Sequence, residues 1–145
     1  MANPIYTATA HVTGGRAEGH GRTGDGQLEV DLRLPTEMGG QGDGTNPEEL
    51  FAVGYAACFE GALGVVARRA KAEMGDVAID SSVSLAPNGS GGFVLGVDLD
   101  VTLPGIADEA TAVALVRAAH AVCPYSNATR GNIEIALTAN GAAVE

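Results

Sequence analysis

The chain has 145 residues, of which 46% are hydrophobic and 4% aromatic, and Trp is absent. This length is near the commonest domain size, so we expect a single domain over residues 1–145 with an aliphatic core. The 8 basic and 18 acidic residues give a net charge of −10, which argues against a nucleic-acid partner, because phosphate binding needs a basic face.

In chain order, residues 5–12 and 28–34 are predicted as strands. The second segment alternates in polarity, with Leu28, Val30 and Leu32 on one face and charged side chains on the other. Residues 39–44 are rich in Gly but lack the Gly-Lys-Ser/Thr ending of a phosphate loop. We interpret them as a connector rather than a nucleotide site.

A long helix is predicted to start at Asn46, a capping residue, with Pro47 in the first helical position and Glu49 where a capping-box carboxylate belongs. It runs through Leu50 to about Met74. Its first half is apolar almost all round, which is typical of a helix buried on most sides. One chain can hardly enclose such a helix, so we expect a two-fold homodimer. A stripe of small residues would lie near its axis: Gly54, Ala57, Gly61 and Gly64.

The second half of the chain adds strands and one more helix. Residues 77–86 and 93–103 are predicted as strands around a hairpin turn. A second helix is predicted from about Asp108 to Val122, and Pro124 stops it, because proline cannot continue a helix. Residues 132–139 are predicted as a closing strand. Clustered strands with two interspersed helices indicate the α+β class.

The compartment is also predicted from the sequence. No apolar run approaches the ~20 residues of a membrane span. The N-terminal residues have neither the basic start nor the apolar run of a signal peptide. We therefore expect a cytoplasmic protein without a membrane partner.

Two cysteines, Cys58 and Cys123, are the candidates for chemistry. A permanent disulfide is not expected in a reducing cytosol, which leaves inert core thiols or a redox pair. Cys58 lies too far along its helix to gain from the N-terminal dipole, so a reactive thiolate there needs a cation. Arg16, next to Gly14-Gly15, is the best candidate, with Glu48 or Glu49 as its carboxylate partner.

Cys123 ends the second helix, where the dipole disfavours a thiolate. It should be the poorer nucleophile of the two cysteines, which suits a resolving thiol that attacks an oxidised partner. His120 is predicted to interact with the same helix end. Three histidines and two distant cysteines show no ligand spacing, so we expect no metal site.

Two segments resemble a known family. Residues 46–59 read NPEELFAVGYAACF and residues 122–132 read VCPYSNATRGN, and both are similar to the cysteine motifs of the Ohr (organic hydroperoxide resistance) branch of the OsmC/Ohr family. Gly14-Gly15-Arg16 resembles that family's arginine loop. The resemblance spans essentially the whole chain, although residues 19–25 depart in composition from plainer members.

The resemblance implies an intertwined homodimer in which antiparallel sheets wrap central helices. It implies a thiol peroxidase for alkyl and fatty-acid hydroperoxides, with Cys58 as the peroxidatic and Cys123 as the resolving cysteine. Arg16 and Glu48 would be the activating pair. No cofactor is implied, and the reductant would be the dihydrolipoamide of lipoylated proteins.

Two questions remain open at this stage. Glu48 and Cys58 are about 15 Å apart along a straight helix. Arg16 can therefore bridge both only through a helix break, an extended side chain, or a Glu48 from the other subunit, and we expect the last. Phe51, Tyr55 and Phe59 are predicted to line a substrate pocket, although core packing would also suit each of them.

Two rival functions also remain. One is the activity of the OsmC sister branch, which uses the same chemistry with other substrates and reductants. The other is a redox sensor or lipid-binding protein that uses the two cysteines as a switch.

Overall fold

The computed structural model describes residues 2–145, and over this range it contains two β-sheets and three α-helices. The α+β class is therefore confirmed. The chain divides into two compact units, one that ends at Leu50 and one that comprises Phe51–Glu145. The single domain expected from chain length stays a prediction.

The N-terminal unit holds an antiparallel sheet of three strands in the order β1 (Ala10–Thr13), β2 (Gly19–Thr23) and β3 (Glu29–Leu32). The first predicted strand forms only from Ala10 onward, and β2 lies between the two predicted strands, where the sequence pattern indicates no strand. The buried positions of β2 are the glycines Gly19 and Gly21. Because glycine has no side chain, the strand's alternation is invisible to an apolar pattern.

The turn between β1 and β2 depends on glycine. Gly14 and Gly15 have φ angles of +81° and +69°, which L side chains rarely adopt. A Cβ at Gly14 would lie 2.1 Å from the carbonyl oxygen of Glu18, so no larger residue fits there. These two glycines place Arg16 inside a tight turn.

Helix α1 (Pro47–Ala70) begins as predicted. The Asn46 side-chain oxygen accepts a hydrogen bond from the Glu49 backbone N–H at 2.8 Å, and the Glu49 carboxylate accepts one from the Thr45 hydroxyl at 2.8 Å. The helix ends before the expected Met74. Lys71 turns into the left-handed region with a φ of 56°, and the Ala72 N–H bonds back to the Ala67 carbonyl, which closes the last turn.

Helix α1 corrects the expectation that no apolar segment approaches the length of a membrane span. It has the length and composition of a membrane span, with a mean hydropathy of 1.7 in its most apolar window, and 33% of that window is buried. A helix in a protein core meets the same criteria, so one such helix is weak support for a membrane. One side of α1 packs into the core of the C-terminal unit: Tyr55, Phe59, Ala62, Leu63, Val66 and Ala67.

The C-terminal unit holds a four-stranded sheet in the order β4 (Ala78–Pro87), β5 (Phe93–Thr102), β6 (Ile135–Ala139) and β7 (Ala142–Val144). Strands β5 and β6 pair in parallel, so the expectation of purely antiparallel sheets is wrong at this pair. The reason lies in the connection, since parallel neighbours need a crossover and the chain between β5 and β6 forms two helices.

Those helices are α2 (Glu109–Val122) and α3 (Pro124–Thr129). The Asp108 carboxylate caps α2 by accepting the Thr111 N–H at 2.9 Å. Pro124 ends α2, as predicted, and also begins α3, a short helix that the sequence pattern did not indicate. Proline suits this first helical position because the missing N–H would have had no partner there.

Strand β7 was also missed. Asn140 and Gly141 have φ angles of 49° and 87°, typical of a tight hairpin turn that favours Asn-Gly. The Asn140-Gly141 dipeptide is the sequence signal from which a hairpin between β6 and β7 could have been predicted. The Asn140 side chain also accepts from the Leu103 N–H at 2.7 Å and donates to the Leu103 carbonyl at 3.1 Å, so it fixes the chain end of β5.

One apolar cluster holds the C-terminal unit together. Strand β5 buries alternate residues, and these join side chains from α1, α2 and β6. The largest contributors are Tyr55, Phe59, Leu63, Val97, Leu99, Val101, Leu103, Leu115, Val116 and Leu137.

We expect Leu63→Ala to lower the free energy of unfolding by about 2–5 kcal/mol, because Leu63 is fully buried and the shorter side chain leaves a cavity. The matched control is Leu28→Ala, at an exposed leucine, which should change it by less than about 0.5 kcal/mol. Urea denaturation measures both. Equal effects of the two substitutions would contradict this view of the core.

Candidate active site

Cys58 and Cys123 are neighbours in the C-terminal unit, and both are free thiols. Their sulfur atoms are 3.6 Å apart. Cys58 lies in the middle of α1 and is half-buried, whereas Cys123 is fully buried in the apolar cluster. The structure therefore brings together the two residues that the sequence singled out, and their chemical roles stay predictions.

Cys123 is placed by the junction of α2 and α3. Its backbone is extended, with φ −61° and ψ 124°, between the two helices. Its N–H donates to the Ala119 carbonyl at 2.8 Å, and its carbonyl accepts from the Asn127 N–H at 2.9 Å. The residue thus caps one helix and starts the next, which fixes its backbone position.

Burial raises the pKa of the Cys58 thiol above its usual value, and the neighbouring Cys123 adds to this effect. A hydrogen bond from the Tyr125 backbone N–H acts in the opposite direction, because it stabilises the thiolate. Burial is the larger effect, so these surroundings favour the protonated thiol at neutral pH. A reactive Cys58 would need a further positive charge.

Arg16 and Glu48 form an ion pair in the N-terminal unit. The two guanidinium nitrogens of Arg16 donate to the two carboxylate oxygens of Glu48, at 2.6 and 3.3 Å. This bidentate geometry is the strong form of the arginine–carboxylate contact. The Glu48 hydrogen bond raises the pKa of Arg16, so the guanidinium stays charged.

The pair forms between residues of one chain. The expectation that Glu48 would come from another subunit is therefore not met for the Arg16–Glu48 contact itself. That expectation assumed that Arg16 must contact both Glu48 and Cys58 along α1. Arg16 contacts Glu48, in the first turn of α1, without any such span. The other carboxylate considered, Glu49, bonds to Thr45 instead.

Aromatic side chains lie beside the thiols. Phe51, Tyr55 and Tyr125 form a cluster with ring centroids 5.6–5.9 Å apart. Tyr55 and Phe59 are fully buried, so they fill the core, the alternative role that their apolar character also allowed. Phe51 is half-buried, and Tyr125 is 37% exposed. Tyr125 was not singled out from the sequence, although it lies within the second cysteine motif.

A buried hydroxyl network lies behind Cys123. The Tyr55 hydroxyl is 2.8 Å from the Ser126 hydroxyl and 3.2 Å from that of Thr129, and the His120 Nδ1 is 2.8 Å from the Ser126 hydroxyl. Ser126 and Thr129 are the buried polar residues among those that the structure describes. Their only sequence signal was their position in the second cysteine motif.

His120 differs from expectation. Burial lowers its pKa, and the nearby charge of Arg130 lowers it further, so the imidazole is neutral at neutral pH. A charged His120 that interacts with the helix dipole would have the opposite shift. Arg130 takes that position instead, because its guanidinium donates to the His120 carbonyl near the end of α2.

Among residues 2–145, no group of three or more His, Cys, Asp or Glu side chains is arranged to hold an ion.

With this geometry in view, the chain was compared with known proteins. The family model described as OsmC-like protein matches residues 40–138. An organic hydroperoxide resistance protein from Xanthomonas axonopodis pv. citri is 52% identical over 95% of this chain and 99% of its own length. The chain belongs to the OsmC-like family of organic hydroperoxide resistance proteins.

Solved structures of the OsmC-like family agree with the fold. OhrB of Bacillus subtilis, an organic hydroperoxide resistance protein, is 46% identical with a TM-score of 0.82, over 92% of this chain and 98% of that one. A provisionally assigned organic hydroperoxide resistance protein from Vibrio cholerae has a TM-score of 0.93 and 45% identity, over 99% and 97% of the two chains. It was solved with captopril in one of its active sites.

The family match includes three of the four predicted catalytic residues. Cys58, Cys123 and Glu48 lie within the matched residues 40–138, and Arg16 precedes them. The matched range therefore includes both cysteines, and their chemical roles stay predictions.

We expect His120 to titrate below its usual pKa of about 6.5. Because the folded pKa is lowered, the stabilisation from neutral His120 is complete above about pH 6.5 and is lost as the pH falls from there through the lower pKa of the folded protein. Arg130→Gln should raise the His120 pKa, and Arg117→Gln on the exposed side of α2 should not. NMR titration of the imidazole measures this, and a His120 pKa above that of His20, which two carboxylates raise, would contradict it.

Proposed function

We propose that this protein is a thiol-dependent peroxidase that reduces organic hydroperoxides to alcohols. The observation that carries the proposal is the 3.6 Å separation of the Cys58 and Cys123 sulfurs. Inert core thiols need no such neighbour, whereas a redox pair does. Membership in a family of organic hydroperoxide resistance proteins supports the same substrate class.

The reaction proceeds in three steps. The Cys58 thiolate attacks the outer peroxide oxygen and the O–O bond breaks, so that Cys58 becomes a sulfenic acid and the alkoxide leaves and takes up a proton to give the alcohol. Cys123 then attacks the Cys58 sulfur, a disulfide forms, and water leaves. The sulfurs must approach from 3.6 Å to the ~2.05 Å of an S–S bond, a shift within reach of side-chain rotation. An external dithiol finally reduces the disulfide.

Arg16 supplies the positive charge that Cys58 requires. Its guanidinium would lower the Cys58 pKa against the effect of burial and would orient the hydroperoxide. Glu48 holds the guanidinium in a bidentate contact and offsets part of its charge. This assignment is supported by the family motif and by the ion pair within the N-terminal unit.

An apolar hydroperoxide suits the surroundings of the thiol. Tyr125, whose backbone N–H lowers the pKa of Cys58, is 37% exposed and packs its ring against the half-buried ring of Phe51. An alkyl or fatty-acid chain gains from contact with such surfaces, and hydrogen peroxide does not. Organic hydroperoxides should therefore be the better substrates.

The assembly, reductant and compartment complete the proposal. The protein acts as a homodimer, which is in line with the Vibrio cholerae relative having more than one active site. The exposed side of α1, with Val53, Ala57 and Gly61, is a surface that a second subunit could cover. The reductant is the dihydrolipoamide of lipoylated proteins, no bound cofactor takes part, and the site of action is the cytoplasm.

Turnover separates this enzyme from a redox sensor. With cumene hydroperoxide and dihydrolipoamide we expect sustained alcohol formation, faster than with hydrogen peroxide. Cys58→Ser should abolish turnover, because no nucleophile remains. Cys123→Ser should allow one oxidation and then accumulate over-oxidised Cys58. The matched control Ser82→Ala, on an exposed strand position, should behave as wild type.

Two results would count against the peroxidase. A single stoichiometric oxidation followed by arrest, in the presence of dithiol, would indicate a sensor. Full activity in Cys58→Ser would remove Cys58 from the reaction. Mass spectrometry after peroxide treatment should find two hydrogens lost and both thiols blocked from alkylation.

We expect Arg16→Ala to raise the pKa of Cys58, since the charge that offsets burial is removed. The pH dependence of Cys58 alkylation measures this in the Cys123→Ser background, where one thiol remains. Arg22→Ala is the control, at an exposed arginine on β2. An alkylation curve that does not move in Arg16→Ala would exclude Arg16 from activation.

A further inference from the structure

Two neighbouring side-chain contacts join α1 to the junction of α2 and α3, and the contact between the two cysteines is one of them. Tyr55 and Cys58 lie one turn apart on α1, and Cys123 and Ser126 have the same spacing across the start of α3. Across the interface the sulfurs are 3.6 Å apart, and the hydroxyls of Tyr55 and Ser126 are 2.8 Å apart. The hydroxyl contact is thus placed one helical turn from the reacting sulfurs.

The hydroxyl contact is buried and fully paired. Tyr55 and Ser126 have no exposed surface, and Thr129 is 7% exposed. A hydrogen bond shielded from water is stronger than an exposed one, and its loss leaves a buried polar group without a partner. This contact therefore has a strongly preferred geometry, unlike the weak contact between two thiols.

The network also extends to the backbone that contacts Cys58. The Thr129 hydroxyl, 3.2 Å from that of Tyr55, donates to the Tyr125 carbonyl at 3.0 Å. The backbone N–H of Tyr125 lowers the pKa of the Cys58 thiol. On the α2 side of the network, His120 Nδ1 is hydrogen-bonded to the Ser126 hydroxyl. The start of α3 is therefore bonded to α1 through the hydroxyls of Ser126 and Thr129, and to α2 through His120.

We propose that Tyr55, Ser126 and Thr129 are positioning residues for disulfide formation, which hold Cys123 opposite Cys58 so that the sulfenic acid is captured before it reacts again. The inference rests on the proposed peroxidase function. All three residues are buried, and they act through the placement of Cys123 rather than through contact with substrate.

Capture competes with over-oxidation. In capture, the Cys123 sulfur bonds to the Cys58 sulfur, hydroxide leaves from the sulfenic acid, and the Cys123 proton completes a water molecule. In over-oxidation, a second hydroperoxide transfers an oxygen to the sulfenic acid, which gives a sulfinic acid and an alcohol. The ratio of the two products depends on how much of the time Cys123 faces Cys58.

The test is the partition of Cys58 between these products. Tyr55→Phe keeps the ring and removes the hydroxyl, and Thr129→Val removes a hydroxyl at nearly constant volume. Each protein is treated with a series of cumene hydroperoxide concentrations, and intact mass distinguishes disulfide, by loss of two hydrogens, from sulfinic acid, by gain of two oxygens. We expect the sulfinic fraction at a given peroxide concentration to rise about fivefold, the effect of one lost hydrogen bond of ordinary strength.

Matched controls separate positioning from general destabilisation. Tyr6→Phe removes the hydroxyl of an exposed tyrosine, and Thr129→Ser keeps the buried hydroxyl while shortening the side chain. Both control variants should retain the wild-type product ratio. Thr129→Ser should also differ from Thr129→Val when the two are compared at temperatures where they are equally stable. The rate of sulfenic acid formation in the Cys123→Ser background should be unchanged by Tyr55→Phe, because only the second step is affected.

The possible failures are distinct. A wild-type product ratio in both Tyr55→Phe and Thr129→Val would overturn the positioning role, and so would equal over-oxidation in Thr129→Ser and Thr129→Val. If the wild-type protein forms neither disulfide nor sulfenic acid with cumene hydroperoxide, the peroxidase proposal itself fails.

Discussion

The packing of α1 against the junction of α2 and α3 is the contact on which the candidate site depends. It places the Cys58 sulfur 3.6 Å from that of Cys123, although the two residues belong to distant parts of the chain. The junction is rigid because Cys123 takes part in the hydrogen bonding of both helices. Its N–H donates to a carbonyl of α2, and its carbonyl accepts from an N–H of α3. The apolar cluster around Leu63 and Leu99 keeps α1 in place against it.

The same burial that positions the thiols opposes their ionisation. Removal of Cys58 from water raises its pKa, and the single N–H from Tyr125 only partly offsets this. A charge-carrying group is therefore a physical requirement of any thiolate chemistry here. Arg16 and Glu48 form a bidentate ion pair in the N-terminal unit, and its action on Cys58 belongs to the proposed function. Family membership links these features to one class of chemistry, since related proteins carry the organic hydroperoxide resistance name.

Elements with strong local signals were predictable. The start of α1 follows from Asn46 and Pro47, and the β4–β5 hairpin follows from its alternation and turn residues. Elements without such signals were missed. Strand β2 buries glycines rather than apolar side chains, and α3 is too short for a helical pattern to emerge. The parallel pairing of β5 and β6 was missed because pairing direction follows from the path of the connection, which no local pattern encodes.

The sequence by itself indicated the candidate residues for the chemistry, because two cysteines, one arginine after two glycines and one early glutamate stand in specific motifs. Only the tertiary structure decided their distances, their burial and their partners. It assigned Tyr55 and Phe59 to the core, made His120 a neutral partner of Ser126, and paired Arg16 with Glu48 of the same chain. The physical reason is that motifs record residue types at fixed spacing, whereas desolvation and hydrogen bonding depend on which distant segments meet in the folded chain.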